Sequence, residues 1–158
     1  MVVQGHGLRT RQLRGPFAPH AAPAVTEVRS RRYRCIRCRA VLTVAPAETL
    51  SRRLYSAAAI AWALALYGLS LLAPADVREL VSPWQVVVAS SASRWRTLSR
   101  WCGAVAAGGL YTRLPPLTGA TARQVAAAAA TAISAFAVPV LEPPPLDVLA
   151  FLGAARAA

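Results

Sequence analysis

The spacing of apolar positions changes once along this chain of 158 residues, near Ser51. Before it, apolar and polar residues alternate in short runs. Val2-Val3, Leu8 to Leu13 with interleaved arginines, Val25 to Tyr33 and Val41 to Val44 read as β-strand pieces, because period-two alternation is what a half-buried strand requires. Gly15-Pro16 and the prolines from Pro19 to Pro23 punctuate them. After Ser51 the period becomes helical. Ser56 to Leu69 is alanine-rich, with Ile60, Leu64, Tyr67 and Leu71 at the spacing of one helical face and Gly68 as a stop signal. Pro74 suits the first turn of a second helix. Asp76 and Glu79 complement its positive end, Val77, Leu80 and Val81 form its apolar stripe, and Ser82-Pro83 stops it.

A third helix is expected from Arg94, capped by Ser93, to about Ala107. Trp95, Leu98 and Cys102 face inward in it, Arg96 and Arg100 share its outer face, and Gly108-Gly109 ends it. Thr121-Ala122-Arg123-Gln124 is a capping-box pattern that opens a fourth helix reaching about Ala137. Pro143-Pro144-Pro145 reads as a stiff spacer before a short apolar tail. There is no internal repeat.

Charge sharpens this division. The formal net charge is +12, carried by arginine alone, and eleven of the 18 arginines lie within residues 1–53 against two acids, Glu27 and Glu48. A basic arm ahead of an apolar body points to nucleic acid or an anionic membrane surface. Arg9, Arg11, Arg14, Arg31, Arg32, Arg34 and Arg37 are the candidate phosphate contacts of the arm, with Arg94, Arg96 and Arg100 on the third helix.

The chemistry-bearing motif is Cys35-Ile36-Arg37-Cys38, set among arginines. Two cysteines at this spacing can bind one metal from a tight turn, and zinc is the expected cofactor. Four donors are usual. His6 and His20 are the only histidines, and both are weak candidates for completing the set. A redox dithiol is a second reading of the pair. Cys102, among small apolar residues, is expected to be inert core.

His6 to Arg14, Arg31 to Cys38, Leu42 to Pro46 and Arg52 to Ser56 together resemble the amino-terminal zinc-ribbon and helix-turn-helix region of bacterial transposases and related zinc-ribbon domains of unknown function. The resemblance implies two Cys-x-x-Cys knuckles around one zinc, of which Cys35 and Cys38 match the second. The first would lie ahead of Val2. Arg39 stands where a small residue usually follows the second knuckle. The resemblance further implies that residues 54 to about 105 form the helical part, with Ser93 to Trp101 in its last helix.

The expected fold is therefore mainly α with a small N-terminal β zinc-ribbon-like module and a helix-turn-helix-like helical domain. The expected organisation is a basic module over 1–50, a helical domain over 51–110 and an alanine- and proline-rich helical tail over 111–158. The expected function is DNA binding, as a cytoplasmic, transposase-related accessory or remnant without a catalytic core. Six carboxylates scattered along the chain form no two-metal cluster pattern, and no phosphate-binding glycine loop appears. The alternative is a small membrane protein with one helix at about 54–75, since Leu54 to Ala75 is 22 residues without a charge and follows Arg52-Arg53. A fragment without a stable fold is a third reading.

Overall fold

A computed structural model describes residues 2–84, 95–115 and 121–158. Three strands, β1 (Val3–Gly15), β2 (Ala24–Cys35) and β3 (Val41–Val44), form an antiparallel meander in the order β1-β2-β3. The alternating runs fall in these strands. The two pieces expected at Val2-Val3 and Leu8 to Leu13 are joined in one strand, irregular between Gly5 and Leu8, where Gly7 takes φ +92°. Glycine adopts that conformation without the penalty of a Cβ.

β3 pairs only with Arg31 to Arg34 of β2, so most of the sheet is a two-stranded ribbon. One end of the ribbon is docked on the helices. The Arg14 amide donates to the Leu54 carbonyl at 2.8 Å, and the Ser56 amide donates to the Arg14 carbonyl at 3.0 Å. At this junction Gly15 has φ +117°, and a Cβ on it would stand 2.3 Å from the Cβ of Ala59. The other end carries Cys35, and Val2 to Thr10 beside it are all exposed.

Five helices follow: α1 (Ala57–Gly68), α2 (Pro74–Val81), α3 (Arg96–Ala106), α4 (Ala122–Ser134) and α5 (Leu146–Ala157). The Ser56 hydroxyl accepts from the Ala59 amide and starts α1. α1 is the hub, packed against each of the other four helices, while α4 and α5 also pack on one another and α3 on α4. Ten of its twelve residues are buried. This corrects the one-faced pattern read from Ile60, Leu64, Tyr67 and Leu71. Leu71 lies beyond the helix, exposed and at φ +58°. Four neighbours leave α1 no solvent face, so alanine fills the positions where a surface helix would carry charge.

Close packing depends on glycine at two places. A Cβ on Gly68 would meet the Ala127 backbone nitrogen of α4 at 2.2 Å, and one on Gly153 of α5 would meet the Ile133 carbonyl oxygen of α4 at 2.1 Å. Gly68 does end α1, but its small size serves the α1–α4 contact. Arg123, in the first turn of α4, donates to the carbonyls of Tyr67 at 2.9 Å and Leu72 at 3.4 Å and lies over the Tyr67 ring. A cation at the carbonyl end of α1 suits both the orphan acceptors and the helix dipole.

α2 starts at Pro74 as expected, but Leu80 is exposed and only Val77 and Val81 of its stripe are buried. The capping box at Thr121 and Gln124 is formed. The described part of α3 starts at Arg96, and the expected cap Ser93 and first residue Arg94 lie outside the described residues. α5 lies within the expected helical tail, after the prolines at 143–145. Its Asp147 accepts from the Trp62 indole at 3.3 Å, and Phe151 packs edge-on to the same ring. One hydrophobic core runs from Leu50 to Ala157, so residues 111–158 share the core of 51–110.

No helix among the described residues is long and apolar enough to cross a membrane. The charge-free run from Leu54 is divided between α1, a turn and the start of α2. The 12 residues of α1 span about 18 Å, against a hydrocarbon core of roughly 30 Å.

Candidate nucleic-acid interface

The strand register sorts the arginines. Residues paired across a ladder share a face, and neighbours along a strand point to opposite faces. Arg9 pairs with Ser30, Arg11 with Val28 and Arg32 with Thr43, which places Arg9, Arg11, Arg32 and Arg34 on one face with Ser30 and Thr43. No carboxylate lies on that face. The opposite face holds Arg29 and Arg31 with Leu8, Tyr33, Leu42, Val44 and Glu27. Arg31 lies over the Tyr33 ring. Arg37 and Arg39 are exposed in the hairpin between β2 and β3.

Besides Arg31, three of the sequence candidates stand apart from the basic face. Arg14 is half-buried at the docked end of the ribbon with its guanidinium over Trp84, where it serves packing between sheet and helices. Arg96 and Arg100 are exposed on α3, in the helical body. Arg94 lies outside the described residues. Among the described residues the one ion pair is Arg78–Glu79, at 3.6 Å in α2. Among the described residues no carboxylate pairs with an arginine of the ribbon.

The basic face also walls a cleft of about 760 Å³. Arg9 and Arg11 line it from β1, Ser30 and Thr43 from the neighbouring strands, and Thr49, Ser51, Arg52 and Arg53 from the loop that leads from β3 to α1. The Arg11 guanidinium donates to the Leu50 carbonyl at 3.3 Å, tying ribbon to loop. Arg52 takes the left-handed conformation, φ +57°, a cost accepted where surrounding structure enforces it. In sequence Arg52 and Arg53 belong to the Arg52 to Ser56 stretch of the zinc-ribbon resemblance and, in the alternative reading, flank the charge-free run from Leu54. Their nearness to Arg9 and Arg11 depends on a loop closure that no local pattern reports.

The cysteines sit at the exposed end of the ribbon. Cys35 is buried at the last position of β2 and Cys38 is exposed. The Cys35 amide donates to Ala40 at 2.8 Å and the Arg39 amide to Cys35 at 3.0 Å, closing the turn. Arg39 is left-handed, φ +63°, a position that a small residue fills with less strain. The Cys38 amide first, then the Arg37 amide and the Cys38 thiol, donate to the Cys35 sulfur and hold its thiol below the ordinary range. A hairpin whose amides converge on a sulfur favours thiolate, the form that binds metal.

The donors present do not complete a zinc site. His20 lies beyond the docked end of the ribbon, edge-on to Trp62 at 5.7 Å between ring centroids. His6 lies at the irregular part of β1. Among the described residues no three His, Cys, Asp or Glu side chains come together as a metal set. The expected group of Cys35, Cys38, His6 and His20 is thus not assembled, and two thiols supply half of the four donors usual for structural zinc.

No protein-family model, curated protein or solved structure matches this chain. Cys102, the third cysteine, is buried in α3, where burial pushes its thiol up to about 11. A thiol held protonated in apolar surroundings is a packing group.

Proposed function

We propose that this is a DNA-binding protein whose contact surface is the arginine-bearing face of the β1–β2 ribbon. The observation that carries the proposal is the placement of Arg9, Arg11, Arg32 and Arg34 on one face with no carboxylate among them. A two-stranded ribbon fits the major groove of B-DNA, and guanidinium groups bind phosphate oxygens or guanine edges in bidentate fashion. Unpaired arginines release counterions from DNA without first breaking an internal ion pair.

Arg37 at the exposed hairpin extends the same surface, and Arg96 and Arg100 offer a second, helical contact. The Cys-x-x-Cys hairpin at the end of an antiparallel meander supports kinship with the zinc-ribbon region of transposases. On that reading the protein is a non-enzymatic accessory or remnant of a mobile-element protein, working in the cytoplasm. Its helix-turn-helix would comprise α2 and α3, and Cys35 and Cys38 would be its zinc ligands within this chain.

Titration of duplex DNA at several salt concentrations tests the proposal. Four phosphate contacts give a slope of log K against log salt of about −4. Arg32→Gln with Arg34→Gln is expected to lower that slope by about 2. Absence of duplex binding at low salt, or a slope near zero, overturns it.

A further inference from the structure

The part of the basic face that holds Arg9 and Arg11 also walls a cleft, bounded on its other side by the loop from β3 to α1. We infer that this cleft is a binding site for a phosphate oligoanion, a chain of two or three linked phosphates. Four arginines, Arg9, Arg11, Arg52 and Arg53, are among the residues that line it, and among the described residues no acidic one does. A volume of about 760 Å³ is in the range of a small-ligand site.

Charge selects among phosphates. One phosphodiester carries a single negative charge and leaves four arginines around one cleft mostly unmatched. A triphosphate carries several, and each guanidinium can hold phosphate oxygens in bidentate fashion. The hydroxyls agree with this. Ser30 is 2 % exposed on the cleft wall, and Thr49 has a buried hydroxyl with no hydrogen-bond partner. A buried hydroxyl without a partner is uncommon and marks a place where a ligand or ion supplies one.

No aromatic residue lines the cleft. Without a stacking platform the site discriminates by charge and not by base. The Arg11–Leu50 hydrogen bond fixes one wall against the other before any ligand arrives, which lowers the ordering cost of binding. The oligoanion is either the triphosphate end of a nucleic-acid strand or a free polyphosphate, and both present the same chemistry to the four arginines.

This inference shares Arg9 and Arg11 with the DNA-binding reading but does not require it. The test is calorimetric titration of the full chain with sodium tripolyphosphate at constant ionic strength. One site per chain is expected, with affinity above that for orthophosphate by about tenfold or more, the effect of one added charge-assisted contact. Arg52→Gln with Arg53→Gln is expected to weaken binding by about tenfold or more. Arg29→Gln with Arg113→Gln removes the same charge from outside the cleft, and it leaves binding within about twofold if distant exposed charges act only through screened fields.

Circular dichroism melts of both variants establish that each is folded. Should the loop variant unfold, Arg9→Gln replaces it with the same expected loss. Equal weakening in the cleft and control variants, several weak sites per chain, or no preference over orthophosphate overturns the inference. A 5′-triphosphorylated single strand that binds more tightly than tripolyphosphate identifies a strand end as the occupant, and the reverse order identifies the free anion. Duplex titration separates the two readings: absence of duplex binding by the unaltered chain with tripolyphosphate binding retained leaves the cleft standing alone.

Discussion

The guanidinium of Arg11 donates to the backbone carbonyl of Leu50 across 39 positions of sequence, and with the backbone bonds of Arg14 to Leu54 and Ser56 it joins the ribbon to the loop that carries Arg52 and Arg53. It connects the two halves of the cleft. Arg11→Met keeps the aliphatic stem but removes the donor. The expected result is a loss of about 1 kcal/mol in urea unfolding, with no change in helical content. An unchanged midpoint would show that the loop is held by other contacts.

Two glycines in helices should respond oppositely to the same substitution. Alanine normally stabilises a helix interior over glycine by about 1 kcal/mol. Gly68→Ala should destabilise by about 3 kcal/mol, because its Cβ meets the Ala127 backbone, which cannot swing aside. Gly103→Ala on α3 meets nothing within 4 Å and should stabilise by about 1 kcal/mol. Thermal melts of the pair check the α1–α4 packing directly.

Alkaline pH should unfold the helical core. The Tyr111 hydroxyl donates to the Ala57 carbonyl in α1, and burial pushes its pKa well above the ordinary 10.0. Burial likewise raises Cys102 from 9.0 to about 11. Both groups are neutral when protonated, so above those ordinary values the unfolded chain has released protons that the folded chain still holds. Stability is full below about pH 9 and falls as pH climbs, with Cys102 contributing between about 9 and 11 and Tyr111 from about 10 upward. Urea midpoints from pH 8 to 11 measure this. In Tyr111→Phe the fall above about pH 10 should be shallower, on a baseline lowered by about 1–3 kcal/mol for the abandoned carbonyl.

Removal of metal gives a fourth expectation. With two donors from the described residues, a chelator should leave the melting temperature of the reduced chain unchanged. A fall of several degrees would show that further ligands complete the site. Alkylation under native conditions should modify exposed Cys38 first, and Cys38→Ala should raise the thiol pKa of Cys35, which loses the donated hydrogen bond of its neighbour's thiol.

Local patterns in the sequence set much of this molecule. Alternation placed β1 to β3, Pro74 and the Thr121–Gln124 box placed the starts of α2 and α4, and the inward positions of α3 were evident from their spacing. These are properties of a few adjacent residues, and each follows from backbone sterics or capping. The arginines and the Cys-x-x-Cys hairpin were equally plain as residue types. Folding fixed which of them meet. The pairing of Arg9 with Ser30 and of Arg32 with Thr43 fixes a common face through a register that the sequence does not print. The cleft needs Arg52 and Arg53 brought against β1 by a return loop. The charge-free stretch from Leu54 looked like a membrane span because hydropathy cannot tell lipid from protein. It is apolar because α2, α3, α4 and α5 surround α1, and that enclosure exists only once distant segments have packed.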